Sequence, residues 1–225
     1  MMLEGSLDCR DGKFGSDHSC QPPTSSAQEA GAGRVLFLKA FMRNPRGVAA
    51  VLPSSRRMGR MMAEELTYRE GQTIVEIGPG TGSFTSEIVR RLEPDSRVLA
   101  IEREPIFADH LRRRLPARPE IHVCEGDAID LHEHMDRRGM DQADYVVSGI
   151  GWPSIARERR EAMLGAVADA LVTGGKFLTF GYHVGWTLPS TWSFWRFLQE
   201  TFRRVSISPV IWANVPPAYI YRCVK

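Results

Sequence analysis

The chain has 225 residues, 43% of them hydrophobic and 25% charged, which lies within the usual size of one domain and suffices to bury a full core. Its four cysteines, Cys9, Cys20, Cys124 and Cys223, form no CxxC pair, and no apolar run approaches the roughly 20 residues a membrane-crossing helix needs. A disulfide scaffold, a zinc site and a transmembrane helix are therefore not expected, and the formal net charge of +2 hides a strong asymmetry along the chain.

Residues 1–33 are rich in Gly, Ser, Asp and Pro and show no hydrophobic period, so they read as a disordered tail. Cys9, His18 and Cys20 in this tail fit no common zinc spacing and lack a fourth ligand, and no metal is expected. Asp8, Arg10, Asp11 and Lys13 follow Met1 to Leu7 at once, unlike a secretory signal, which predicts a cytoplasmic address. Residues 34–66 form a basic segment: Arg34, Lys39, Arg43, Arg46, Arg56, Arg57 and Arg60 lie between residues 34 and 63, where no Asp or Glu occurs, leaving the remainder of the chain net acidic. Such a segment suits an anionic surface, membrane or nucleic acid. Within it, Val35 to Arg43 predicts an amphipathic helix with Lys39 and Arg43 on one polar stripe, ended near Asn44-Pro45. A second helix is expected after Pro53, capped by Ser54 or Ser55 and running to Leu66.

From residue 67 to 225 short apolar strands alternate with helical periods. Strands are expected at Thr73–Ile77, Arg97–Ile101, Ile121–Cys124, Ala143–Ser148 and Lys176–Tyr182, with helices at Ser83–Leu92, Pro105–Leu115 and Ile155–Leu171 between them. This rhythm predicts an α/β domain, a mostly parallel sheet with helices on both faces. Arg204–Val210 and Ala218–Val224 read as two further strands with no helix between them, which gives seven strands and an antiparallel C-terminal end.

Gly78, Pro79, Gly80, Thr81 and Gly82 follow the first strand and precede a helix, so the backbone there can turn tightly and approach a ligand closely. Position 83 is Ser, so the spacing departs from the GxGxxG dinucleotide fingerprint. Glu102 ends the second strand, where a carboxylate can accept from both hydroxyls of a ribose. Asp127 follows the third strand, where it can accept from an adenine amino group. Glu76, at the end of the first strand, can attract an ammonium or sulfonium. Three acids in order at three strand ends describe an adenosine-binding edge without a pyrophosphate clamp.

This order resembles the class I S-adenosylmethionine-dependent methyltransferases over about residues 35 to 225, a Rossmann-like fold. The resemblance implies that Glu76, Gly78, Pro79, Gly80 and Gly82 hold the methionine part of S-adenosylmethionine, Glu102 with Arg103 the ribose, and Asp127 with Ala128 the adenine. Ser148, ending the fourth strand, would line the methyl-transfer pocket.

Finer segments resemble the bacterial phospholipid N-methyltransferases and their ornithine lipid relatives: Phe37-Leu38 through Arg43-Asn44-Pro45-Arg46, Gly47 to Ser55, Val146-Val147-Ser148-Gly149, and Ile211-Trp212-Ala213-Asn214-Val215-Pro216-Pro217-Ala218. The same lineage resembles rRNA adenine dimethyltransferases, which carry Asn-hydrophobic-Pro-aromatic after the fourth strand; here that site reads Ser148-Gly149-Ile150-Gly151-Trp152-Pro153, which disfavours a nucleobase acceptor. The resemblance implies methylation of the primary amine of phosphatidylethanolamine and its methylated forms, toward phosphatidylcholine, or of ornithine lipid. In this reading Phe37, Leu38 and Phe41 lie in the acyl boundary and Lys39, Arg43 and Arg46 among anionic head groups, holding the enzyme peripherally on the inner face of the membrane. Ser54, Ser55 and Arg56 can bind the lipid phosphate at a helix start, with Gly149 beside the acceptor. Tyr182 and His183 follow the fifth strand, and either can hydrogen-bond the amine or pass its proton to water. Trp186, Trp192 and Trp195 can line a lipid entrance or pack as core. The rival readings are an RNA adenine N6-methyltransferase, whose grip on phosphates would weaken steeply with salt, and a non-catalytic cofactor-binding peripheral membrane protein.

Overall fold

The computed structural model describes residues 56–214 and 216–225. Seven strands, β1 (Thr73–Ile77), β2 (Arg97–Glu102), β3 (Ile121–Glu125), β4 (Ala143–Ser148), β5 (Leu171–Tyr182), β6 (Arg204–Ile207) and β7 (Ala218–Val224), form one sheet in the order β3-β2-β1-β4-β5-β7-β6. The first five run parallel. β7 runs antiparallel to both β5 and β6, so the expected antiparallel ending is a single reversed strand inserted between two others. The helices are α1 (Arg56–Glu64), α2 (Ser83–Val89), α3 (Pro105–Arg114), α4 (Leu131–Asp136), α5 (Arg157–Ala170) and α6 (Pro189–Thr201). The strand order reverses between β2-β1 and β1-β4, and a doubly wound sheet places its ligand crevice at such a reversal.

β1 is buried along its whole length, so its side chains feed two cores in alternation. Val75 and Ile77 join Leu99, Ile101, Val146 and Phe177 under α4, α5 and α6. Ile74 joins Val98, Val147, Leu178 and Phe180 under α1 and α2. α1, which ends at Glu64 rather than at the expected Leu66, seats Met58 and Met62 one helical turn apart in this second core, and Leu66 follows from the turn after it; each such burial contributes about 1.5–3 kcal/mol. Its arginines Arg56, Arg57 and Arg60 stay exposed. Gly59 is required for the approach of α1 to α2, since a Cβ there would lie 2.3 Å from the Ser83 carbonyl oxygen. Arg222 on β7 donates from Nε and Nη2 to the two carboxylate oxygens of Glu65, fastening the end of α1 to the sheet.

The helix expected over Ser83–Leu92 ends at Val89, and the one expected over Ile155–Leu171 starts at Arg157, after a single 3-10 turn at Trp152–Ser154. β5 begins at Leu171, directly after α5, earlier than its apolar pattern indicates, with an irregular register opposite Ala143 and Tyr145. The expected strand Arg204–Val210 stops at Ile207, and Ile211 returns as an isolated bridge to Ala218. The tail of residues 1–33, the amphipathic helix with Phe37, Leu38, Lys39, Phe41, Arg43 and Arg46, and the Ser54 and Ser55 cap lie outside the described residues. Among the described residues no helix is long and apolar enough to cross a membrane.

Candidate active site

The C-terminal ends of the parallel strands are tied edge to edge by the residue that leaves each one. Gly78 N donates to Ile101 O at 2.9 Å, Gly126 N to Glu102 O at 3.0 Å, and Gly149 N to Ile77 O at 2.9 Å. The loops that carry the predicted residues therefore start from one hydrogen-bonded rim. Gly78, Gly80 and Gly82 have φ of 64°, 56° and 79°, a left-handed region that L side chains rarely adopt. Their surroundings differ. A Cβ on Gly78 would lie 2.2 Å from Ile150 Cγ2 and one on Gly82 2.4 Å from Leu111 Cδ2, whereas at Gly80 the direction is open. Gly78 and Gly82 are there for packing, and Gly80 leaves a cradle of bare backbone.

Two carboxylates face this loop. Glu102 is buried and accepts from Gly80 N at 2.8 Å through Oε2 and from Glu104 N at 2.9 Å through Oε1. Burial raises its pKa, opposed by the amides of Glu104 and Gly80. The amide of Arg103 also favours its charged form, and a carboxylate has room for further donors such as the hydroxyls of a diol. Glu76 is fully buried at 0% exposure, and neither of its oxygens has a hydrogen-bond partner of good geometry among the described residues. Burial pushes its pKa up to about 8; nearby Thr85 opposes the rise and the charge of Glu102 adds to it. A buried carboxylate left without a partner is costly unless a cation or donor completes it.

Asp127 starts a 3-10 turn over Ala128–Asp130, with Oδ1 accepting from Ile129 N at 3.1 Å. Its Oδ2 pairs with Arg159 Nη2 from the first turn of α5. Desolvation pushes the Asp127 pKa up, but the Ile129 amide and the Arg159 guanidinium outweigh it and hold the acid below its ordinary value, with a further contribution from Arg103. Arg103, which follows Glu102, pairs with Glu104 at 3.8 Å. Sequence reasoning missed Arg159. Its signal was Arg157, Arg159 and Arg160 at a helix start, where positive charge opposes the macrodipole unless an acid compensates. Ala128 is buried beside Asp127.

The loop after β4 turns inward. Ser148 is buried, and its Oγ accepts from Trp152 Nε1 at 2.9 Å and from Ile150 N at 3.3 Å. Trp152 is fully buried, stacked on Phe194 at 5.9 Å and set edge-on to Phe177. The single aromatic of this loop is thus a core residue and offers no platform to a planar base. Gly149 is needed because a Cβ there would lie 2.5 Å from Gly78 O, so the two loops touch through backbone. Ile150, which no motif singled out, covers the glycine loop from this side.

At the end of β5, Tyr182 is half-buried and set edge-on to Phe180, and burial raises its pKa. His183 N donates to Pro217 O at 2.8 Å, its ring packs against Trp212 at 5.3 Å, and its Nδ1 has no hydrogen-bond partner among the described residues. Arg114 donates to the carbonyl of Thr81 in the glycine loop at 3.3 Å, and its pKa is lowered by burial and then by the charge of Arg56. A cavity of about 580 Å³ lined by Leu92 to Arg97 and Arg118 to Glu120 lies at the opposite, N-terminal ends of β2 and β3 and has no part in this site. Among the described residues no cluster of three or more His, Cys, Asp or Glu could hold a metal ion.

The rim thus carries an open glycine cradle, a fully buried acid and two further carboxylates, a lining that suits a ligand bearing both cationic and hydroxyl groups. Residues 74–175 match the family described as Methyltransferase domain. The chain is 34% identical to an ornithine lipid N-methyltransferase of Singulisphaera acidiphila, over 84% of this chain and 94% of that one. A dimethyladenosine transferase of Yarrowia lipolytica is 38% identical over 71 residues, 30% of this chain and 22% of its own length. Among solved structures, the precorrin-6y C5,15-methyltransferase of Geobacter metallireducens superposes with a TM-score of 0.58 at 19% identity, covering 75% of this chain and 88% of its own. Aeropyrum pernix fibrillarin with natively bound S-adenosyl-L-methionine superposes at 0.56 and 19% identity, covering 74% of each chain. The chain belongs to the class I S-adenosylmethionine-dependent methyltransferases.

Proposed function

We propose that this enzyme transfers methyl groups to the amine of a membrane lipid head group, ornithine lipid or phosphatidylethanolamine and its methylated forms. The observation that carries this reading is the similarity to an ornithine lipid N-methyltransferase across nearly the whole of both chains, whereas the similarity to the dimethyladenosine transferase covers under a third of this one. The loop after β4 supports it, since an aliphatic amine needs no stacking platform and Trp152 is committed to the core.

S-adenosylmethionine supplies an activated methyl on a sulfonium, so alignment of the acceptor accounts for much of the rate. In this proposal Glu76 draws the ammonium end of the methionine part to the loop of Gly78, Pro79, Gly80 and Gly82. Glu102 takes the ribose hydroxyls with Arg103 beside it. Asp127, held by Arg159, receives the adenine amino group against Ala128. Ser148 and Gly149 shape the wall next to the acceptor. The acceptor amine must lose a proton, and Tyr182 or His183 receives its hydrogen bond at the β5 end. In this proposal Arg56 binds the lipid phosphate with Ser54 and Ser55. Lys39, Arg43 and Arg46 dock the enzyme on anionic head groups while Phe37, Leu38 and Phe41 enter the interface.

Incubation of the enzyme with methyl-labelled S-adenosylmethionine, total bacterial lipid and ribosomal RNA in one vessel tests the reading. Label is expected in amine-bearing lipid. Label in RNA alone overturns the proposal in favour of a nucleic-acid acceptor.

A further inference from the structure

We propose that a second, uncharged surface beside the acceptor end of the site inserts into the membrane interface and opens the site onto the bilayer. This rests on the lipid reading above. The surface comprises the 3-10 turn His183–Thr187 after β5, the first turns of α6, and Trp212 beyond the bridge of Ile211 to Ala218. It displays Val184 at 64% exposure, Leu188 at 51%, Trp192 at 50% and Trp212 at 69%, four of the six exposed large hydrophobics among the described residues.

These residues are held together. Trp192 Nε1 donates to Trp186 O at 2.8 Å, and the two indoles meet at 5.1 Å. Leu188 N donates to Gly185 O at 2.9 Å. His183 N reaches Pro217 O, and the His183 ring meets Trp212, which joins the two segments at one place. That place is the catalytic edge, since Tyr182 pairs with Ala218 in the sheet register.

The charge pattern identifies the partner. In a chain with 25% charged residues, no Asp, Glu, Lys or Arg occurs from Phe177 to Trp195 or from Val205 to Tyr221. Strand burial accounts for the portions inside β5 and β7, but not for the exposed turns. Exposed aromatic and aliphatic side chains on a surface without charge fit the boundary between head groups and acyl chains, where Trp and Tyr concentrate. Arg196, exposed and one helical turn beyond Trp192, can carry its guanidinium back to the phosphates while its stem stays among apolar groups. A lipid amine presented in the head-group layer would then lie at the level of Tyr182 and His183.

The test uses the full chain and vesicles of phosphatidylethanolamine and phosphatidylglycerol whose acyl chains carry bromine, a contact quencher of indole emission. Wild-type emission should be quenched, and replacing both Trp192 and Trp212 with Phe should remove most of the quenchable fraction while leaving the emission of Trp152, Trp186 and Trp195. Val184→Asp with Trp192→Ser should lower vesicle affinity at least tenfold, with unchanged S-adenosylmethionine affinity and unchanged methylation of phosphatidylethanolamine dispersed in detergent. Vesicle binding with unquenched Trp192 and Trp212 overturns the inference and leaves the lipid reading intact. Failure to bind vesicles overturns it as well, and the detergent assay then decides the lipid reading separately. A dimer in light scattering that Val184→Asp dissociates also overturns it, by assigning the surface to a second copy of the chain.

Discussion

Along the half of the sheet edge formed by β1, β2 and β3, the outward groups are backbone amides, bare glycines and carboxylates held by one another. Along the half formed by β5 and β7 they are aromatic and aliphatic side chains with no charge among them. The first half is built before any ligand arrives: Glu102 fixes Gly80 and Glu104, Arg159 fixes Asp127, and Ile150 and Leu111 press on the glycines. The second half exposes apolar surface at Trp192 and Trp212. A small charged cofactor is recognised by fixed dipoles that need not reorganise, whereas a lipid acceptor offers one polar head and a large apolar remainder. The same edge meets both demands by dividing them between strands.

The contrast breaks most severely in the glycine loop. Gly78→Ala adds strain at φ 64° and a contact with Ile150 Cγ2, and we expect a loss of about 2–5 kcal/mol in denaturant unfolding, the sum of a left-handed backbone penalty and overpacking. Gly80→Ala carries the backbone penalty alone, about 1–2 kcal/mol, because its Cβ meets nothing; its larger effect should be on S-adenosylmethionine affinity in calorimetry. Equal unfolding losses for the two variants would refute the distinction between packing and cradle.

Glu102→Ala removes a charged acceptor from two amides and from the ribose, and affinity should fall by about 1.5–3 kcal/mol, on the order of 10- to 150-fold, in a protein that remains folded by circular dichroism. Unchanged affinity would move the cofactor elsewhere.

Glu76→Gln separates stability from binding. With its pKa raised from 4.5 to about 8 in the folded protein, Glu76 keeps its proton in both states below about pH 4.5 and imposes no cost. Between pH 4.5 and 8 the unfolded chain loses the proton first, so stability declines through this window, and above pH 8 the deficit is complete. The Gln variant should therefore gain Tm relative to wild type as pH rises from 4.5 to 8, while binding S-adenosylmethionine more weakly at pH 8. A Tm difference independent of pH would show that the acid is not buried in its neutral form.

The smallest expected effect lies at the acceptor end. Tyr182→Phe should lower turnover on lipid more than His183→Ala, and by less than the about hundredfold common for a general base, since the sulfonium methyl is already activated. Steady-state rates at saturating lipid check the order, and a reversed ranking makes His183 the proton acceptor.

The alternation of apolar runs with helical periods was enough to place the parallel sheet, because β1, β2 and β4 are buried along nearly their whole length and carry runs of apolar residues. Element ends were less legible: β5 starts directly at the end of α5, and β6 stops short because Ser208 turns to accept from Ile220 N. Glu76, Glu102 and Asp127 were readable as acids at successive strand ends, since parallel strands bring their C-terminal ends to one rim. Arg159 was not, because α5 reaches Asp127 from 32 residues away and only packing selects which of its arginines faces that acid.

What residue order alone determined was therefore the class of the fold and the presence of an adenosine-binding edge, which depend on local periodicity and on which residue ends each strand, while the resemblance to the class I methyltransferases implied the cofactor. The tertiary structure decided the orientation of everything else. It turned Trp152 into the core, buried Glu76 completely, and brought two uncharged segments together beside Tyr182, because these outcomes depend on contacts between residues far apart in the chain.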